Sequence, residues 1–395
     1  MAQPKSVGRF VVYAALGFGA IVFAFPLFWM MITSLTPSEQ TLAYPPQMIP
    51  VAHYAVLDGR RVEVTRDLQV HTRSAFVETL SGLRAGLRVV VPLANYDPAD
   101  PSLRLIKYVE PGWWQVTQRS ASSKTVEKDL PRDVVPPDAV QTIPKFRWDN
   151  YPKALLAMGG RSLEEVEGFV DTGKTPVARD AEVGFFQFLS NTLVVCVLGV
   201  IGTVLSNAII AYGFARLQFP GRDTFFALTL ATMMIPFPVL MVPTFGIFQK
   251  LGWIGTLLPL WAPTFFGSAF NIFLMRQFFR TIPEELSEAA RIDGCSEWRI
   301  FWRIILPLSR PVLAVAALFH FLYAWNDFLA PLIYLTRKHT FTLPLALQSY
   351  QSTHGGVQWN FLMAASAVTV IPIIVLFFFT QKTFIQGIAT TGSKN

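Results

Sequence analysis

Six long stretches of this chain carry no Asp, Glu, Lys or Arg, and this feature restricts the fold more than any other. They cover residues 10–36, 183–215, 224–249, 251–275, 311–326 and 339–381. Because a helix needs about 20 apolar residues to cross the hydrocarbon core of a bilayer, each stretch predicts one transmembrane helix. The fifth stretch continues towards Thr336 after an interruption at Asn326 and Asp327.

The composition agrees with a membrane protein and argues against several other classes. Hydrophobic residues make up 52% of the chain and charged residues only 15%, whereas soluble domains contain roughly 25% charged residues. The two cysteines are too few for a disulfide framework or a thiolate metal site. No catalytic constellation is evident in the sequence, so we expect neither an enzyme nor a bound metal.

The distribution of the basic residues predicts the topology. The net charge is +7, but residues 36–184 contain 18 basic and 19 acidic residues and are about neutral. The other 15 basic residues lie in or beside short connections, 12 on one side and 3 on the other. Because short cytoplasmic loops carry the excess of Lys and Arg, we expect both termini and residues 276–310 in the cytoplasm. The positive charge therefore does not predict a nucleic-acid partner.

The segment between the first two predicted spans has the pattern of an inserted β-rich domain, which this topology places outside the cell. The run YAVLDGRRVEV alternates apolar residues around Asp58-Gly59 and predicts a β-hairpin. The runs LRVVVPL, LRLIKYV and GWWQVTQ predict further strands, with Trp113 and Trp114 in the domain core rather than against a sugar ring. The proline-rich run from Asp129 to Val140 predicts a linker.

Residues 276–310 interrupt the apolar pattern with a charged segment that predicts two short helices. Thr281 and Glu284 have the spacing of a capping box, and Gly294 stands where a left-handed C-cap is needed, so the first helix is expected over 282–293. Ser296 is expected to cap the second helix. Its apolar face should contain Trp298, Phe301, Ile304 or Ile305, and Leu308.

The first of these helices has two interpretations. A charged amphipathic helix can lie on the membrane surface. However, Ala289 and Ala290 at its middle and Gly294 at its end are small, whereas a membrane-facing stripe would favour Leu, Phe or Trp. Small residues permit another surface to approach closely, so we favour a protein partner.

The spacing of Glu288-Ala289-Ala290, Gly294, Ile304 and Leu306-Pro307 resembles the cytoplasmic EAA motif of ATP-binding cassette (ABC) importer permeases at every position. Four further runs, FRWDNY, AYGFARLQFPGRD, MMIPFPVLMVPTF and AWNDFL, make the chain similar to the sugar-type permeases. The similarity is greatest to the smaller membrane subunit of maltose-type systems. It covers the first span and residues 146–395; the insertion has no counterpart in the usual family pattern.

The resemblance implies an all-α polytopic membrane protein of the bacterial plasma membrane, with about six transmembrane helices and an inserted extracytoplasmic β-rich domain. The first transmembrane helix would be 10–36, the insertion and linker 37–145, and the permease core, with five helices and the cytoplasmic loop 276–310, residues 146–395. The residues implied to contact an ATPase subunit are Glu288, Ala289, Ala290, Asp293, Gly294, Ile304, Leu306 and Pro307.

The same resemblance implies the partners and the cargo. In the lipid bilayer the chain would pair with a homologous larger permease, and it would bind two ATPase subunits and an extracytoplasmic sugar-binding protein. ATP and Mg would be held by the ATPase and not by this chain. The cargo would be a carbohydrate, such as an α-glucoside of the maltose or trehalose type. The alternatives are a permease of this family for glycerol phosphate and an ion-coupled secondary transporter.

Two further groups of residues are candidates for function. Polar residues at membrane depth are costly, so His320, Asn326 and Asp327 are candidates for the substrate path, although each could equally be a hydrogen-bonded structural residue. In maltose-type permeases the last external loop enters the sugar cleft of the binding protein. The corresponding residues here offer polar groups and a pliable backbone, or else form an ordinary solvent loop: Ser352, Thr353, His354, Gly355 and Gly356.

Overall fold

A computed structural model of the chain describes residues 5–41, 48–57, 60–64, 70, 72–80, 88–117, 131–158, 183–348, 350 and 359–392. The chain divides into two compact units. The first comprises Met1–Pro152 with Gln358–Ala367, and the second comprises Lys153–Val357 with Val368–Asn395.

The first unit contains one long apolar helix and all the strands that the described residues form. Its helices are α1 (Lys5–Ser34), α2 (Ser38–Thr41) and the start of α3 (Asn150–Ala157). Its strands are β1 (Val51–Leu57), β2 (Arg60–Val64), β3 (Ser74–Thr79), β4 (Arg88–Pro92), β5 (Leu103–Val109), β6 (Trp114–Thr117), β7 (Pro131–Val135) and β8 (Val140–Pro144). They form three antiparallel sheets in the orders β2-β1-β8, β4-β3-β5 and β6-β7.

The predicted hairpin and strands are confirmed, but the predicted linker is wrong. β1 and β2 pair with Leu57 opposite Arg60, as the alternation around Asp58-Gly59 requires. The proline-rich run forms β7 and the start of β8, which pair with β6 and β1. Proline is tolerated there because Pro131 is the first residue of β7, and Pro136 and Pro137 lie between β7 and β8.

Two apolar clusters hold the strands together. Trp114 is buried with Ala55 and Val135, which confirms its place in the core, and Trp113 packs against a second cluster around Phe76 and Val109. Between β5 and β7, the Lys107 ammonium donates to Asp133 Oδ1 at 2.7 Å and lies 5.6 Å from the Trp113 ring centroid. The linker prediction for residues 129–140 is wrong because the strands that pair with this run are distant in sequence and leave no local signal in it.

The C-terminal end of α1 is capped from the start of α3. The Asn150 amide is buried and donates to the carbonyl oxygens of Ser34 at 2.8 Å and Thr36 at 3.1 Å. The hydroxyls of Tyr151 and Ser34 also lie 2.9 Å apart. These bonds satisfy carbonyls that would otherwise lack partners at the end of the helix.

The second unit is helical in its described residues, with α4 packed against several neighbours. Its helices are α4 (Phe185–Arg216), α5 (Arg222–Ala231), α6 (Phe237–Lys250), α7 (Leu258–Trp261), α8 (Ala269–Thr281), α9 (Glu285–Ile292), α10 (Glu297–Ile300), α11 (Leu306–Leu308), α12 (Arg310–Asn326), α13 (Leu329–Tyr334), α14 (Leu343–Leu347) and the greater part of α15 (Trp359–Gly392). A 3₁₀ turn (Ala262–Phe266) joins α7 to α8, and a π turn (Phe301–Ile305) joins α10 to α11.

The described residues form four single spans and two bent helix pairs that could cross a membrane. The four are Val11–Ser34, Phe185–Arg216, Leu258–Thr281 and Trp359–Gln381. The third predicted span is not one straight helix, because Arg222–Met234 and Phe237–Lys250 meet at 100°. Pro236 lies at this bend, where proline forces the preceding residue, Ile235, into an extended conformation. The other pair, Glu297–Leu308 and Arg310–Asn326, meets at 77°.

Candidate functional site

The site is the segment 276–310, and the structure changes its predicted beginning. α8 runs to Thr281, whose hydroxyl donates to the Phe278 carbonyl of its own helix at 2.7 Å. Thr281 is therefore not the N-cap, and the predicted capping box is wrong, because the preceding helix continues through this residue. α9 begins three residues later than predicted, with the Glu284 carbonyl accepting from Ser287 and Glu288 N–H groups.

The predicted end of the first helix is confirmed. Gly294 has φ +76°, and the N–H of Cys295 donates to the Ala290 carbonyl at 2.9 Å. This is the six-to-one bond of a glycine-ended helix. A Cβ added to Gly294 would meet no atom within 4 Å among the described residues. The backbone conformation, and not close packing within this chain, is the reason for glycine here.

The two alanines of α9 differ in burial, because consecutive helical residues point about 100° apart. Ala290 is 8% exposed and packs in the core of its own chain, together with Ile282, Phe301 and Ile305. Ala289 is exposed, in line with Leu286 and with Ile292, which is 87% exposed. The spacing of three residues puts these side chains in one stripe. The small size of Ala290 is thus explained by internal packing, whereas Ala289 belongs to the outward stripe.

The second helix begins as predicted, but its buried face differs. Ser296 Oγ accepts from the Arg299 N–H at 3.4 Å and caps α10. The π turn shifts the helical register, so Ile300, Phe301 and Ile305 are buried while Trp298 and Leu308 are exposed. An apolar pattern with one constant helical period of about 3.6 residues could not predict this change of the buried face. Ile304 and Leu306 pack against the same core from its edge, and Pro307 and Asp293 are exposed.

Two buried arginines connect the C-terminal ends of α4 and α8, which the sequence predicts to lie on the cytoplasmic side. Arg216 of α4 donates to the carbonyls of Phe279, at 2.6 Å, and Ile282 at the end of α8. In return, Arg276 of α8 donates to the Phe214 carbonyl near the end of α4 at 3.2 Å. Each cation thus meets the negative end of the other helix dipole. Arg276 also lies 3.9 Å from the centroid of the Phe226 ring.

A third link joins α4 to α9 and α10. Tyr212 of α4 donates to Glu297 Oε2 at 2.5 Å, and Arg291 of α9 donates to Glu297 Oε1 at 2.7 Å. The hydrogen bond to Glu297 raises the pKa of the Arg291 guanidinium. Sequence reasoning missed Tyr212, Arg216, Arg276 and Glu297. The positions of Arg216 and Arg276 at the ends of two predicted spans were a signal in the sequence. Their partners could not be predicted, because they are backbone carbonyls, which every residue has.

The candidates for the substrate path lie on α12 and are not brought to this site. α12 has 17 residues and is about 25 Å long, and Asn326 and Asp327 stand at its far end from Arg310. Asn326 donates to the Leu322 carbonyl at 2.7 Å, and Asp327 Oδ1 accepts from the Ala330 N–H at the start of α13. The predicted break at these residues is confirmed.

His320 occupies the middle of α12, where it packs against α4. A Cβ added to Gly199 would clash with the His320 ring, so the glycine makes room for the imidazole. Among the described residues, none offers a hydrogen-bond partner to His320 Nε2. The loop candidates Ser352, Thr353, His354, Gly355 and Gly356 lie outside the described residues.

Comparisons with known proteins match the helical part of the chain. The profile of the family described as "Binding-protein-dependent transport system inner membrane component" matches residues 186–390. The arabinooligosaccharides transport system permease protein AraQ of Halalkalibacterium halodurans is 37% identical over 210 residues, which cover 53% of this chain and 75% of that protein.

The chain also resembles the sn-glycerol-3-phosphate transport system permease protein UgpE of Yersinia pestis. The two are 37% identical over 209 residues, which cover 52% of this chain and 73% of that protein. Among solved structures, a chain of a bacterial ABC transporter involved in the import of the acidic polysaccharide alginate aligns with a TM-score of 0.47 and 22% identity, covering 59% of this chain and 88% of that chain.

Proposed function

The chain belongs to the family of binding-protein-dependent transport system inner membrane components, and on this premise we propose that it is a permease subunit of an ABC importer for a carbohydrate. Family membership and the apolar helices make it a multi-pass membrane protein. In the proposal, both termini and the segment 276–310 face the cytoplasm, and the β-rich part of the first unit faces the outside.

The observation that carries the proposal is the outward stripe of α9. Leu286, Ala289 and Ile292 are exposed although two of them are large and apolar. Such a stripe, flanked by Glu285 and Glu288, is suited to docking in a groove of another protein. We assign that groove to an ATPase subunit, of which two copies would serve this chain and a homologous larger permease.

ATP-driven transport would then proceed by rigid-body movement. Closure of the ATPase pair around ATP and Mg would displace α9, and the arginine contacts between α4 and α8 would carry the displacement into the spans. Transport would alternate between outward and inward openings. This chain would supply the docking helix α9 and one half of the transport pathway, and it would hold neither ATP nor Mg.

The similarity to AraQ supports a carbohydrate as the cargo. The similarity to UgpE supports the alternative cargo, glycerol phosphate. Both relatives match about half of the chain at 37% identity, so identity does not separate a sugar from glycerol phosphate. A neutral oligosaccharide such as an α-glucoside is our proposal for the cargo. Ion-coupled secondary transport is the remaining alternative, and it requires no ATPase.

The test is reconstitution of this chain in liposomes with the larger permease, the ATPase subunits and the extracytoplasmic binding protein. We expect uptake of a labelled oligosaccharide only with ATP on the ATPase side. Uptake of labelled glycerol 3-phosphate instead would support the alternative cargo. Uptake driven by an ion gradient in liposomes lacking the ATPase would contradict the proposal altogether.

A further inference from the structure

One carboxylate, that of Glu297, connects three helices at the site. Each of its oxygens accepts a separate hydrogen bond, Oε2 from Tyr212 of α4 and Oε1 from Arg291 of α9. Glu297 itself belongs to the first turn of α10. The bond from Tyr212 is partly buried and goes to an ionised acceptor, so it is stronger than a neutral hydrogen bond, whereas the Arg291 and Glu297 side chains are 35% and 40% exposed and their pair contributes less.

The position of the junction determines which movement of α9 it can oppose. At its N-terminal end α9 is joined to α8 by the short connection Ile282–Glu284. Its C-terminal end reverses at Gly294, and the bond from Arg291 to Glu297 spans that reversal. A force applied to the outward stripe of α9 would rotate the helix about its N-terminal connection. The junction opposes this rotation at the opposite end.

Apolar packing alone cannot supply the same restraint. Ala290 contributes a single methyl group to the core, and the Tyr212 ring packs in a tilted arrangement against Phe301, with 5.2 Å between the ring centroids, and not against α9. Nonpolar contacts are not directional, so they hold α9 against the core but permit it to slide. The two hydrogen bonds of Glu297 have fixed directions and therefore fix the rotation of α9 relative to α4.

We propose that Glu297 is a positioning residue that transmits the displacement of α9 to α4 through Arg291 and Tyr212. The inference rests on the proposed function, since it concerns how the docked helix moves the spans. It predicts that loss of the junction uncouples ATP hydrolysis from transport while the ATPase subunit stays bound.

The experiment compares Tyr212→Phe, Glu297→Gln and the double variant in the complete reconstituted transporter. Tyr212→Phe removes one hydroxyl and keeps the ring against Phe301, and Tyr13→Phe makes the same change at an exposed position of α1 as a control. The readouts are oligosaccharide taken up per ATP hydrolysed, the amount of ATPase subunit retained, and the KM for the loaded binding protein.

We expect Tyr212→Phe and Glu297→Gln each to lower uptake per ATP by about threefold to tenfold, the range that the net contribution of one hydrogen bond gives. The double variant should be no worse than Glu297→Gln, because both changes break one junction. Retention of the ATPase subunit and KM should be unchanged, and Tyr13→Phe should match the wild type.

Two outcomes overturn the proposal. Unchanged uptake per ATP in both single variants would show that the junction transmits nothing. Loss of the ATPase subunit in both would show that Glu297 only maintains the fold of α9. If the wild type itself shows no ATP-dependent uptake, the proposed function fails instead. Amide hydrogen exchange of the full chain in lipid nanodiscs then still tests the junction, because Glu297→Gln should speed exchange at residues 291–299 and equal exchange would refute it.

Discussion

At the scale of single residues, Ala290 and Gly294 are both small, but for different reasons. Ala290 fills a buried position where a larger side chain would collide with the core. Gly294 has open space around its missing Cβ among the described residues, but its φ of +76° excludes most other residues. Ala290 is small because of packing, and Gly294 is small because of its backbone conformation.

Gly294→Ala tests the second reason. Left-handed backbone costs an alanine about 1 to 2 kcal/mol, so the free energy of unfolding in mixed micelles should fall by that amount. Gly213→Ala is the matched control, since Gly213 lies inside α4 with no atom within 4 Å of an added Cβ in the described part of the chain. It should be neutral or stabilising by up to about 1 kcal/mol. Equal effects of the two changes would refute the backbone argument.

Asn150→Asp tests the cap of α1. An ionised carboxylate cannot donate to the carbonyls of Ser34 and Thr36 and would repel them, so the variant should lose about 1 to 3 kcal/mol of unfolding free energy. Thermal unfolding of the purified chain in detergent measures the loss. Asn95→Asp, at an exposed position after β4, makes the same change as a control and should leave the transition in place.

At the scale of helices, the contact between α4 and α8 depends on an exchange of arginines. Each side chain reaches the carbonyl end of the other helix, and both residues are 7% exposed. A buried cation is costly unless hydrogen bonds and opposite charge compensate it. Here carbonyl oxygens and the helix dipoles provide most of the compensation, and Asp223 lies 3.9 Å from Arg276.

Arg216→Gln should therefore destabilise the chain by about 2 to 3 kcal/mol, because a charge-assisted contact with two carbonyls is lost. Arg276→Gln should have a similar effect, and Arg280→Gln, at the exposed end of α8, should have almost none. The measurement is the free energy of unfolding in mixed micelles. An effect of Arg280→Gln as large as that of Arg216→Gln would contradict the exchange.

At the scale of the whole molecule, the permease family match and the β-rich insertion occupy different parts of the chain. The match covers residues 186–390, whereas all strands of the described residues lie between Val51 and Pro144. The family match therefore concerns the helical part of the chain and does not include the described strands.

Deletion of Ser352–Gly356 tests whether this loop contacts the binding protein, as the resemblance to maltose-type permeases implies. We expect assembly and basal ATP hydrolysis to persist, while stimulation by the binding protein and sugar uptake fall at least about tenfold, because the polar groups that replace the sugar's hydrogen bonds are gone. Replacement of the five residues by a Gly-Ser linker of equal length is the control for chain length. Full uptake after the deletion would make the loop a simple connection.

Local patterns in the sequence determined the elements that depend on neighbours along the chain. The apolar runs predicted the spans, the alternation around Asp58-Gly59 predicted a hairpin, and Gly294 predicted a left-handed helix end. Each of these depends on hydrophobic burial or backbone sterics within a few residues, so the sequence alone carries the information.

Tertiary structure alone decided the features that depend on distant partners. The run 129–140 became strands because β6 and β1 pair with it, and Ala290 is buried because it packs with Phe301 and Ile305. The junction at Glu297 joins residues 85 positions apart. The physical reason is that a hydrogen bond or a packing contact depends on distance in space, and only the folded chain sets that distance.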